Sequence, residues 1–371
     1  MTGDGAVTAR VGILGGGQLG RMLALAGYPL GLRVRVLDPG ADAPAAHCAE
    51  HIRAAYDDAA ALERLAAGMD AVTFEFENVP ETAARALAAR VPVHPPPAAL
   101  ARAQDRVSEK TLFAEHALAV PPWRAVDDRA GLARAIAEIG APAVLKTRRM
   151  GYDGKGQAVL RAGDEAALDA AWRAVGGAPS ILEAFVPFER EVSLIGVRAQ
   201  DGACVFYPLV ENVHRAGILH RSLAPAPGAD ALQPAAEAAM RRILDALAYV
   251  GVLTIEFFVH QGRLLGNEMA PRVHNSGHWT IEGAVTSQFE NHLRAVVGLP
   301  LGSTAVNGAA AMVNLIGSIP APAAVLAIPG AHLHLYGKAS RPGRKVGHIT
   351  VVAADARRLA EPLARVEALV G

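Results

Sequence analysis

The chain has 371 residues, and its 36 basic and 36 acidic side chains give a formal net charge of zero. This length allows two or three domains, and the balanced charge provides no general field for nucleic acid or an anionic membrane surface. We therefore expect local recognition of small molecules, without a nucleic-acid or membrane partner. Cys48 and Cys204 lie far apart without CxxC spacing, which argues against disulfides or zinc and favours a reducing compartment.

Two segments bear on membrane association. The first ten residues, MTGDGAVTAR, contain an acidic residue and lack an apolar run, so they do not predict a signal peptide. Residues 295–331 contain no charged side chain, but Asn307, Asn314, Pro320 and Pro322 interrupt them. Because a membrane helix needs about 18 apolar residues without such breaks, this stretch predicts a buried strand, AAAMVNLIG, with flanking loops. We expect a cytoplasmic protein.

The N-terminal third predicts a parallel βαβ sheet. Short apolar or β-branched runs alternate with helical spacing. These runs are 11–14 (VGIL), 33–38 (RVRVLD) and 71–76 (AVTFEF). After a proline-rich stretch at 91–100 the pattern changes to α+β. It predicts helices over 103–118 and 233–249, and strands near 142–147, 180–186 and 191–198, while turns and strands dominate beyond about residue 300.

A glycine fingerprint follows the first predicted strand. Gly15, Gly17 and Gly20 spell G-x-G-x-x-G, which allows a tight turn and brings an anion close to the free N–H groups of a helix N-terminus. Asp38 ends the second strand, where a nicotinamide enzyme holds its ribose. The turn therefore predicts a phosphate site, and by itself it leaves a dinucleotide and another phosphorylated ligand equally open.

A second glycine-rich segment lies in the middle of the chain. Lys146 ends a predicted strand and is followed by GYDGKGQ, Gly151 to Gln157, which we call the flap. Its backbone N–H groups can fold over a polyphosphate, while Lys146 and Lys155 add positive charge. It is not a Walker loop because the GK[ST] ending is missing.

Two acidic residues lie in a predicted hairpin, LTIEFFV and RLLGNEM, around Gln261 and Gly262. With a three-residue loop, 261–263, Glu256 and Glu268 lie opposite each other on one face, with Cβ atoms about 4.5–5.5 Å apart. With a two-residue loop they lie on opposite faces. Opposed carboxylates suit a hard cation, and Mg²⁺ typically takes one or two carboxylates plus substrate phosphates. The predicted magnesium site therefore depends on the turn.

The lysine, the flap and the acid pair together describe a Mg-ATP site, and the chain resembles the ATP-grasp superfamily. Within it, the chain is similar to the 5-(carboxyamino)imidazole ribonucleotide synthetases of purine biosynthesis. The resemblance runs nearly end to end, through GGGQLGRM, DAPA, TFEFENVP, QDR, GYDGKGQ, EAFVPFEREVS, NEMAPRVHNSGHWT and RPGRKVGH.

The resemblance implies mixed α/β and α+β architecture in three domains. These are an N-terminal Rossmann-like parallel-sheet domain that binds substrate (1–100), a central two-lobed ATP-grasp domain (101–298) and a small C-terminal β-rich domain (299–371). The resemblance also implies a homodimer.

The resemblance further implies residues for ATP and Mg²⁺. Glu256 and Glu268 would carry the metal against the β- and γ-phosphates. Glu183 to Val186 would form a hinge that reads the adenine edge, and Glu191 would bind the ribose. The residues implied for ATP are Arg106, Lys146, Gly151, Tyr152, Asp153, Gly154, Lys155, Gly156, Gln157, Glu183, Ala184, Phe185, Val186, Glu191, His214, Asn267 and Glu268.

By the same resemblance, the glycine turn holds a phosphate-bearing substrate instead of a nicotinamide cofactor, and Asp38 becomes a strand-end cap or turn residue. The residues implied for the ribonucleotide are Gln18 and Leu19, Glu75 on the ribose, Tyr152, Asn275, and Lys338, Arg344 and Lys345 around the monophosphate. Those implied for the chemistry are Lys155, with Arg272, His274 and Asn275 on bicarbonate or carboxyphosphate, and Asp153 for the amine proton.

The implied reaction phosphorylates bicarbonate with ATP and transfers the carboxyl unit of carboxyphosphate to the amine of aminoimidazole ribonucleotide. A formate-using glycinamide ribonucleotide transformylase shares this architecture and stays an alternative, although FENVP and HNSGHWT favour the carboxylating ligase. Biotin carboxylase is disfavoured by the short chain and the missing AMKM acceptor. A nicotinamide dehydrogenase, from a different class, depends only on the glycine fingerprint and Asp38.

Overall fold

The computed structural model describes residues 8–151 and 154–371. The N-terminal part is a parallel four-stranded sheet with strand order β3-β2-β1-β4, as the alternation of strand and helix patterns predicts. Its elements are β1 (Ala9–Leu14), α1 (Gln18–Gly27), β2 (Leu32–Leu37), β3 (Glu50–Ile52), α2 (Ala59–Ala66), β4 (Ala71–Phe74), α3 (Glu81–Ala88) and α4 (Pro97–Ala103).

The glycine turn between β1 and α1 encloses a carboxylate of the same chain. Glu75 follows β4, and its two carboxylate oxygens accept hydrogen bonds from Gly17 N at 2.5 Å and Gly20 N at 2.6 Å. A Cβ on Gly17 would lie 2.6 Å from Glu75 Oε1, so the glycine makes room for this carboxylate. Helix N-termini attract anions, and here the anion is Glu75. The expectation that these N–H groups hold a substrate phosphate is therefore wrong.

Asp38 has a structural role at the end of β2, as expected from the resemblance. Its carboxylate accepts hydrogen bonds from Gly16 N at 2.9 Å and from Gly40 N at 2.7 Å, and from the Tyr56 hydroxyl at 3.0 Å. Both of its oxygens are thus engaged with its own domain. A nicotinamide ribose would have to displace these bonds, which argues against the dehydrogenase hypothesis.

A small antiparallel sheet of order β5-β8-β6-β7 follows, covered by two helices. The helix predicted over 103–118 is divided, because Asp105 turns the chain and caps a new helix by accepting from Val107 N at 3.0 Å. The flap connects β6 to β7. The elements are α5 (Arg106–Glu115), β5 (Trp123–Val126), α6 (Arg129–Ile139), β6 (Ala143–Thr147), β7 (Gln157–Leu160), α7 (Glu165–Ala174) and β8 (Ser180–Ala184).

A nine-stranded antiparallel sheet forms the rest of the molecule. Its order is β14-β13-β9-β11-β12-β15-β17-β16, and β10 pairs with β9. Its elements are β9 (Arg190–Arg198), β10 (Cys204–Phe206), β11 (Val210–Arg215), β12 (Ile218–Ala224), α8 (Gln233–Ala246), β13 (Gly251–His260), β14 (Arg263–Ala270), α9 (Thr280–Gly283), α10 (Gln288–Val296), β15 (Ala309–Ile316), α11 (Pro322–Leu326), β16 (Ala331–Leu335), β17 (Lys345–Ala353) and α12 (Ala356–Val370).

The large sheet crosses the predicted boundary between the second and third domains. The predicted buried strand in the uncharged stretch is β15, and it pairs with β12 through Arg221 and Val313. The division at residue 298 stays a prediction, since a single sheet continues across it. Across residues 8–151 and 154–371, no helix combines the length and hydropathy needed to span a bilayer.

One hydrophobic core joins the parallel sheet to the large sheet. Val11 and Ile13 of β1 belong to the same buried cluster as Ile195, Trp279 and Phe289. A hydrogen bond of 2.8 Å between Thr73 Oγ1 and His292 Nε2 adds a polar link between the same two parts. These buried contacts fix the substrate-side domain against the nucleotide-side domain.

The acid-bearing hairpin differs from the expected geometry in one detail. His260 pairs with Arg263, so the turn has two residues and the three-residue loop is wrong. A β-bulge at Asn267 inserts one extra residue into β14, and beyond it Glu256 lies directly opposite Glu268. The two carboxylates therefore share a face, but the bulge and not the turn puts them there.

The contact between the glycine turn and Glu75 predicts a steric cost. Gly17 has a φ of −73°, which any residue adopts, so Gly17→Ala tests only the approach of Glu75. Overpacking of this kind costs about 1–3 kcal/mol, which we expect as a lower free energy of urea unfolding. Gly163→Ala is the matched control, because its nearest neighbouring atom lies 3.6 Å from the added Cβ. Equal stabilities of the two variants would contradict the packing described.

Candidate active site

A cavity of about 1060 Å³ lies where the three sheets meet. It gathers most residues named from the sequence, although they come from distant parts of the chain. Those that line it are Gln18, Leu19, Arg106, Lys146, Gly151, Gly154, Lys155, Gln157, Glu183, Ala184, Phe185, Val186, Glu191, His214, Glu256, Asn267, Glu268, Arg272, His274, Asn275, Lys338, Arg344 and Lys345.

Four of the named residues are not on this wall. Glu75 lies behind it in the glycine turn, and Gly156 lies against Thr147 at the base of the flap. Tyr152 and Asp153 fall outside the described residues. The ligand roles of all the named residues stay predictions.

A buried charge network forms one wall of the cavity. Lys146 Nζ lies 3.0 Å from Glu183 Oε2 and 3.4 Å from Asn267 Oδ1. Lys110 Nζ lies 3.6 Å from the same carboxylate oxygen. Burial disfavours the charged carboxylate, but Lys146 and Lys110 outweigh it and lower the pKa of Glu183 to about 2. The Glu183 side chain thus holds two ammonium groups, and its Oε1 has no hydrogen-bond partner among the described residues.

The opposed acids each face a nitrogen side chain. Arg106 Nη1 donates to Glu268 Oε2 at 2.8 Å, and His274 Nε2 lies 3.2 Å from Glu256 Oε1. Burial favours the neutral acid, but Arg106 lowers the pKa of Glu268 to about 2. Both carboxylates line the cavity and present oxygen donors on one face, which is the ligand chemistry that Mg²⁺ prefers. The residues present therefore fit a hard divalent cation.

A chain of hydrogen bonds fixes the tautomer of His274. Its Nδ1 accepts from Ser276 N at 3.3 Å and contacts Ser276 Oγ at 2.9 Å, so the ring proton lies on Nε2 and faces Glu256. Ser193 Oγ donates to Ser276 Oγ at 2.8 Å, and Asn212 Nδ2 donates to Ser193 Oγ at 2.9 Å. His274 is thereby held as a hydrogen-bond donor toward the cavity.

Two further residues of the HNSGH region are oriented by partners from other strands. Arg272 donates through Nε to the Glu77 carboxylate, and despite burial this contact lowers the pKa of Glu77. Asn275 and Asn314 exchange two side-chain hydrogen bonds, of 3.1 and 2.7 Å. Because Asn314 lies on β15 and is fully buried, the last strands of the chain help to position Asn275.

The two far ends of the cavity are also built from paired side chains. Glu191 Oε2 lies 2.8 Å from His214 Nδ1, and although burial lowers the pKa of His214, this bond outweighs it and raises the pKa. At the other end, Lys338 Nζ donates to Gln18 Oε1, which joins the C-terminal strands to the start of α1. Basic side chains surround this contact; they are Arg341, Arg344 and Lys345.

Comparison with known proteins follows this geometry. The family model of the ribonucleotide synthetase preATP-grasp domain matches residues 8–104, the ATP-grasp domain model matches 111–289, and the phosphoribosylaminoimidazole carboxylase C-terminal domain model matches 310–362. The chain is 54% identical to an N5-carboxyaminoimidazole ribonucleotide synthase of Pseudomonas aeruginosa, over 97% of this chain and 99% of that one. The chain belongs to the N5-carboxyaminoimidazole ribonucleotide synthase family.

Solved structures support the same membership. The N5-carboxyaminoimidazole ribonucleotide synthetase of Thermus thermophilus is 58% identical and superposes with a TM-score of 0.93, over 97% of this chain and 98% of that one. An Aspergillus clavatus synthase in complex with ADP and 5-aminoimidazole ribonucleotide is 32% identical with a TM-score of 0.91, over 98% and 99%. Membership in this synthase family confirms the motif resemblance, the three-part ATP-grasp fold and an ATP-dependent ligase of purine biosynthesis.

Sequence reasoning missed several residues that the synthase fold brings to the cavity. Arg106, Glu109 and Lys110 lie on one face of α5, and their i, i+3, i+4 spacing was a readable signal for this charged cluster. Glu77 and Asn314 had no comparable signal, because each acts through a partner distant in sequence. Only the folded chain identifies them.

All five lysines of this synthase family member are at the cavity. Four of them line it, and the fifth lies beneath its wall; the lining lysines are Lys146, Lys155, Lys338 and Lys345, and the buried one is Lys110. Arginine supplies the other basic side chains of the chain. The ammonium groups are therefore concentrated where phosphates are expected.

The charge network predicts an acid-sensitive stability. The pKa of Glu183 is about 2 in the folded chain and 4.5 as its model value, so below pH 4.5 the unfolded chain binds more protons. Stability then decreases as pH falls, with a slope of up to about 1.4 kcal/mol per pH unit from this group. Urea unfolding between about pH 5 and about pH 3.5 should show a shallower slope for Glu183→Gln than for the unmodified chain.

The matched control for this measurement is Glu138→Gln. Glu138 forms an exposed ion pair with Arg124, and exposed pairs contribute little. Its pH slope should equal that of the unmodified chain. If both variants showed the same reduced slope, Glu183 would not be the group responsible.

Proposed function

We propose that this chain uses ATP and bicarbonate to carboxylate the amine of 5-aminoimidazole ribonucleotide through carboxyphosphate. The observation that supports this proposal is that one cavity joins a nucleotide end to a ribonucleotide end. Lys146, Glu183 and Asn267 lie at the first end, and Gln18 and Lys338 lie at the second. The reaction needs both ligands in one enclosure, because carboxyphosphate has to reach the amine before water does.

For the metal, Glu256 and Glu268 would hold Mg²⁺, which when bound supplies positive charge against the triphosphate. Arg106 and His274 face these acids in the described structure. We also propose a cytoplasmic homodimer, as the family resemblance implies.

The first chemical step transfers the γ-phosphoryl group of ATP to a bicarbonate oxygen. The catalytic demand is positioning and neutralisation of charge on the phosphoryl oxygens, which Lys146 and Lys155 would meet. Arg272, oriented by Glu77, would bind the bicarbonate, together with Asn275. His274 would donate its Nε2 proton as a hydrogen bond to an oxygen of the carboxyphosphate, because Ser276 already occupies Nδ1.

In the second step the exocyclic amine attacks the carboxyl carbon of carboxyphosphate. The new C–N bond forms while the bond from that carbon to the phosphate oxygen breaks, and inorganic phosphate leaves. The amine must lose a proton, and Asp153 is the residue that we propose to accept it. His274 is a poor base here, since its Nε2 carries the proton and its Nδ1 is engaged with Ser276.

At the ribonucleotide end, Lys338, Arg344 and Lys345 would bind the monophosphate. Gln18 and Leu19 line this end, and Gln18 contacts Lys338 directly. We retain Glu75 for the ribose. Its carboxylate already accepts two backbone N–H bonds in the described structure, so it would need to rearrange to reach a sugar.

The test of the whole proposal is phosphate release with ATP, bicarbonate and aminoimidazole ribonucleotide, each omitted in turn. Full release should require all three, and carboxylated product should form in equal amount. Replacement of bicarbonate by formate separates the transformylase alternative. Turnover with formate and none with bicarbonate would refute the proposal.

Glu268→Gln should reduce ATP turnover by about 100-fold or more, because it removes charge from one of the two proposed metal ligands. The fold should persist, as measured by circular dichroism and thermal unfolding. The control is Glu138→Gln, which changes an exposed acid outside the cavity. Turnover near normal in Glu268→Gln would contradict the metal role.

Lys345→Ala should raise the KM for the ribonucleotide by about tenfold or more, since a charge-assisted hydrogen bond to phosphate contributes about 1.5–3 kcal/mol. The KM for ATP should change far less. Arg358→Ala, on the exposed start of α12, is the control. Equal increases in both KM values would argue against the monophosphate assignment.

A further inference from the structure

Helix α5 turns two charged side chains toward the acid-bearing hairpin. Lys110 Nζ donates to Asn267 O at 2.6 Å and to Gly266 O at 3.0 Å. Glu109 Oε1 accepts from Met269 N at 2.6 Å. Both side chains are almost fully buried, at 0% exposure for Lys110 and 2% for Glu109. They contact only the segment of β14 that surrounds Glu268.

The two carbonyls bound by Lys110 identify what it holds. In a regular strand, successive carbonyl groups point to opposite edges, so one ammonium group does not reach both. A bulge breaks this alternation and turns neighbouring groups to the same side. Gly266 and Asn267 are the residues at which the pairing with β13 shifts. Lys110 therefore bonds the bulge itself and not merely the edge of a regular strand.

This bulge decides where Glu268 points. From the turn, His260 pairs with Arg263 and Phe257 pairs with Gly266. Continued without the bulge, that register would place Asn267 opposite Glu256 and turn Glu268 to the other face, because side chains alternate along a strand. With the bulge, Glu256 faces Glu268. One extra residue thus creates the acid pair.

The surroundings of the bulge are shaped for it from the same side. Gly266 N donates to Ala119 O at 2.8 Å, just after α5. A Cβ on Gly266 would lie 2.9 Å from Leu118 Cδ2 and 3.1 Å from Phe113 Cδ2, so glycine permits the close approach. A buried ammonium group is costly unless its hydrogen bonds are satisfied. Two bulge carbonyls and the nearby Glu183 carboxylate satisfy Lys110.

We propose that Glu109 and Lys110 are positioning residues that hold the bulge at Gly266 and Asn267. They thereby keep the carboxylates of Glu256 and Glu268 on one face for a divalent cation. The proposal rests on the metal site of the proposed function. It assigns these two residues no contact with substrate or metal.

The test measures metal binding directly, with Mn²⁺ as a spectroscopic probe and ADP as the nucleotide. Electron paramagnetic resonance gives the affinity for Mn²⁺ in the presence of ADP, and calorimetry in EDTA gives the affinity for ADP alone. Loss of a residue that orients metal ligands typically costs about 10–100-fold in metal affinity. Lys110→Met should weaken Mn²⁺ binding by about tenfold or more, with ADP binding in EDTA changed by less than about twofold.

A matched control separates the bulge from the neighbouring charge network. Glu183→Gln removes the carboxylate near Lys110 but leaves both carbonyl bonds in place. It should change ADP affinity equally with and without Mn²⁺. If Lys110→Met behaves in this same way, Lys110 acts through Glu183 and the proposal is wrong.

A second pair of variants keeps the test decisive if Lys110→Met does not fold. Glu109→Leu removes the acceptor for Met269 N, whereas Glu109→Gln keeps an acceptor oxygen. Selective loss of Mn²⁺ affinity in the leucine variant, restored in the glutamine variant, supports the proposal. Equal affinities in both variants would overturn it.

The proposed metal site has its own check. Glu256→Gln and Glu268→Gln should each weaken Mn²⁺ binding. If neither variant does so, the metal site fails, and with it the inference that depends on it. If both respond while folded Lys110→Met binds Mn²⁺ normally, only the positioning role fails.

Discussion

The site depends on one buried carboxylate, Glu183, held between the ammonium groups of Lys146 and Lys110. These three residues come from β8, β6 and α5, and Lys146 and Lys110 both continue to Asn267 on β14. Charges removed from water are stable only when paired, so each element holds the others in place. The small antiparallel sheet and the large sheet are thereby fixed around the same cavity wall.

Much of this architecture could be read from the sequence because its signals are local. The alternation of strand and helix patterns gave the parallel sheet, and the grouped motifs gave the ATP-grasp family. The hairpin was legible from two apolar runs around Gln261 and Gly262. Its register was not, since no sequence pattern marks Asn267 as an extra residue and the helix that holds it lies more than 150 residues away.

The glycine turn shows a similar limit. Gly15, Gly17 and Gly20 correctly indicated an anion at a helix N-terminus, but the sequence did not show that the anion would be Glu75. A carboxylate from the next strand satisfies the same N–H groups as a phosphate would, and the fingerprint cannot distinguish the two. The direction of the His274 ring proton was likewise beyond the sequence, because Ser193 and Asn212 set it through Ser276.

The distribution of lysine has a practical consequence for chemical labelling. Reagents that acylate primary amines react with lysine side chains and the terminal amine but leave guanidinium groups unmodified. Here every lysine lies on or under the cavity wall, while arginine carries the remaining basic charge. The number of acyl groups added per chain, read by mass spectrometry, therefore reports the state of the cavity with little background from the outer surface. A nucleotide or ribonucleotide seated there would appear as protected lysines at its own end.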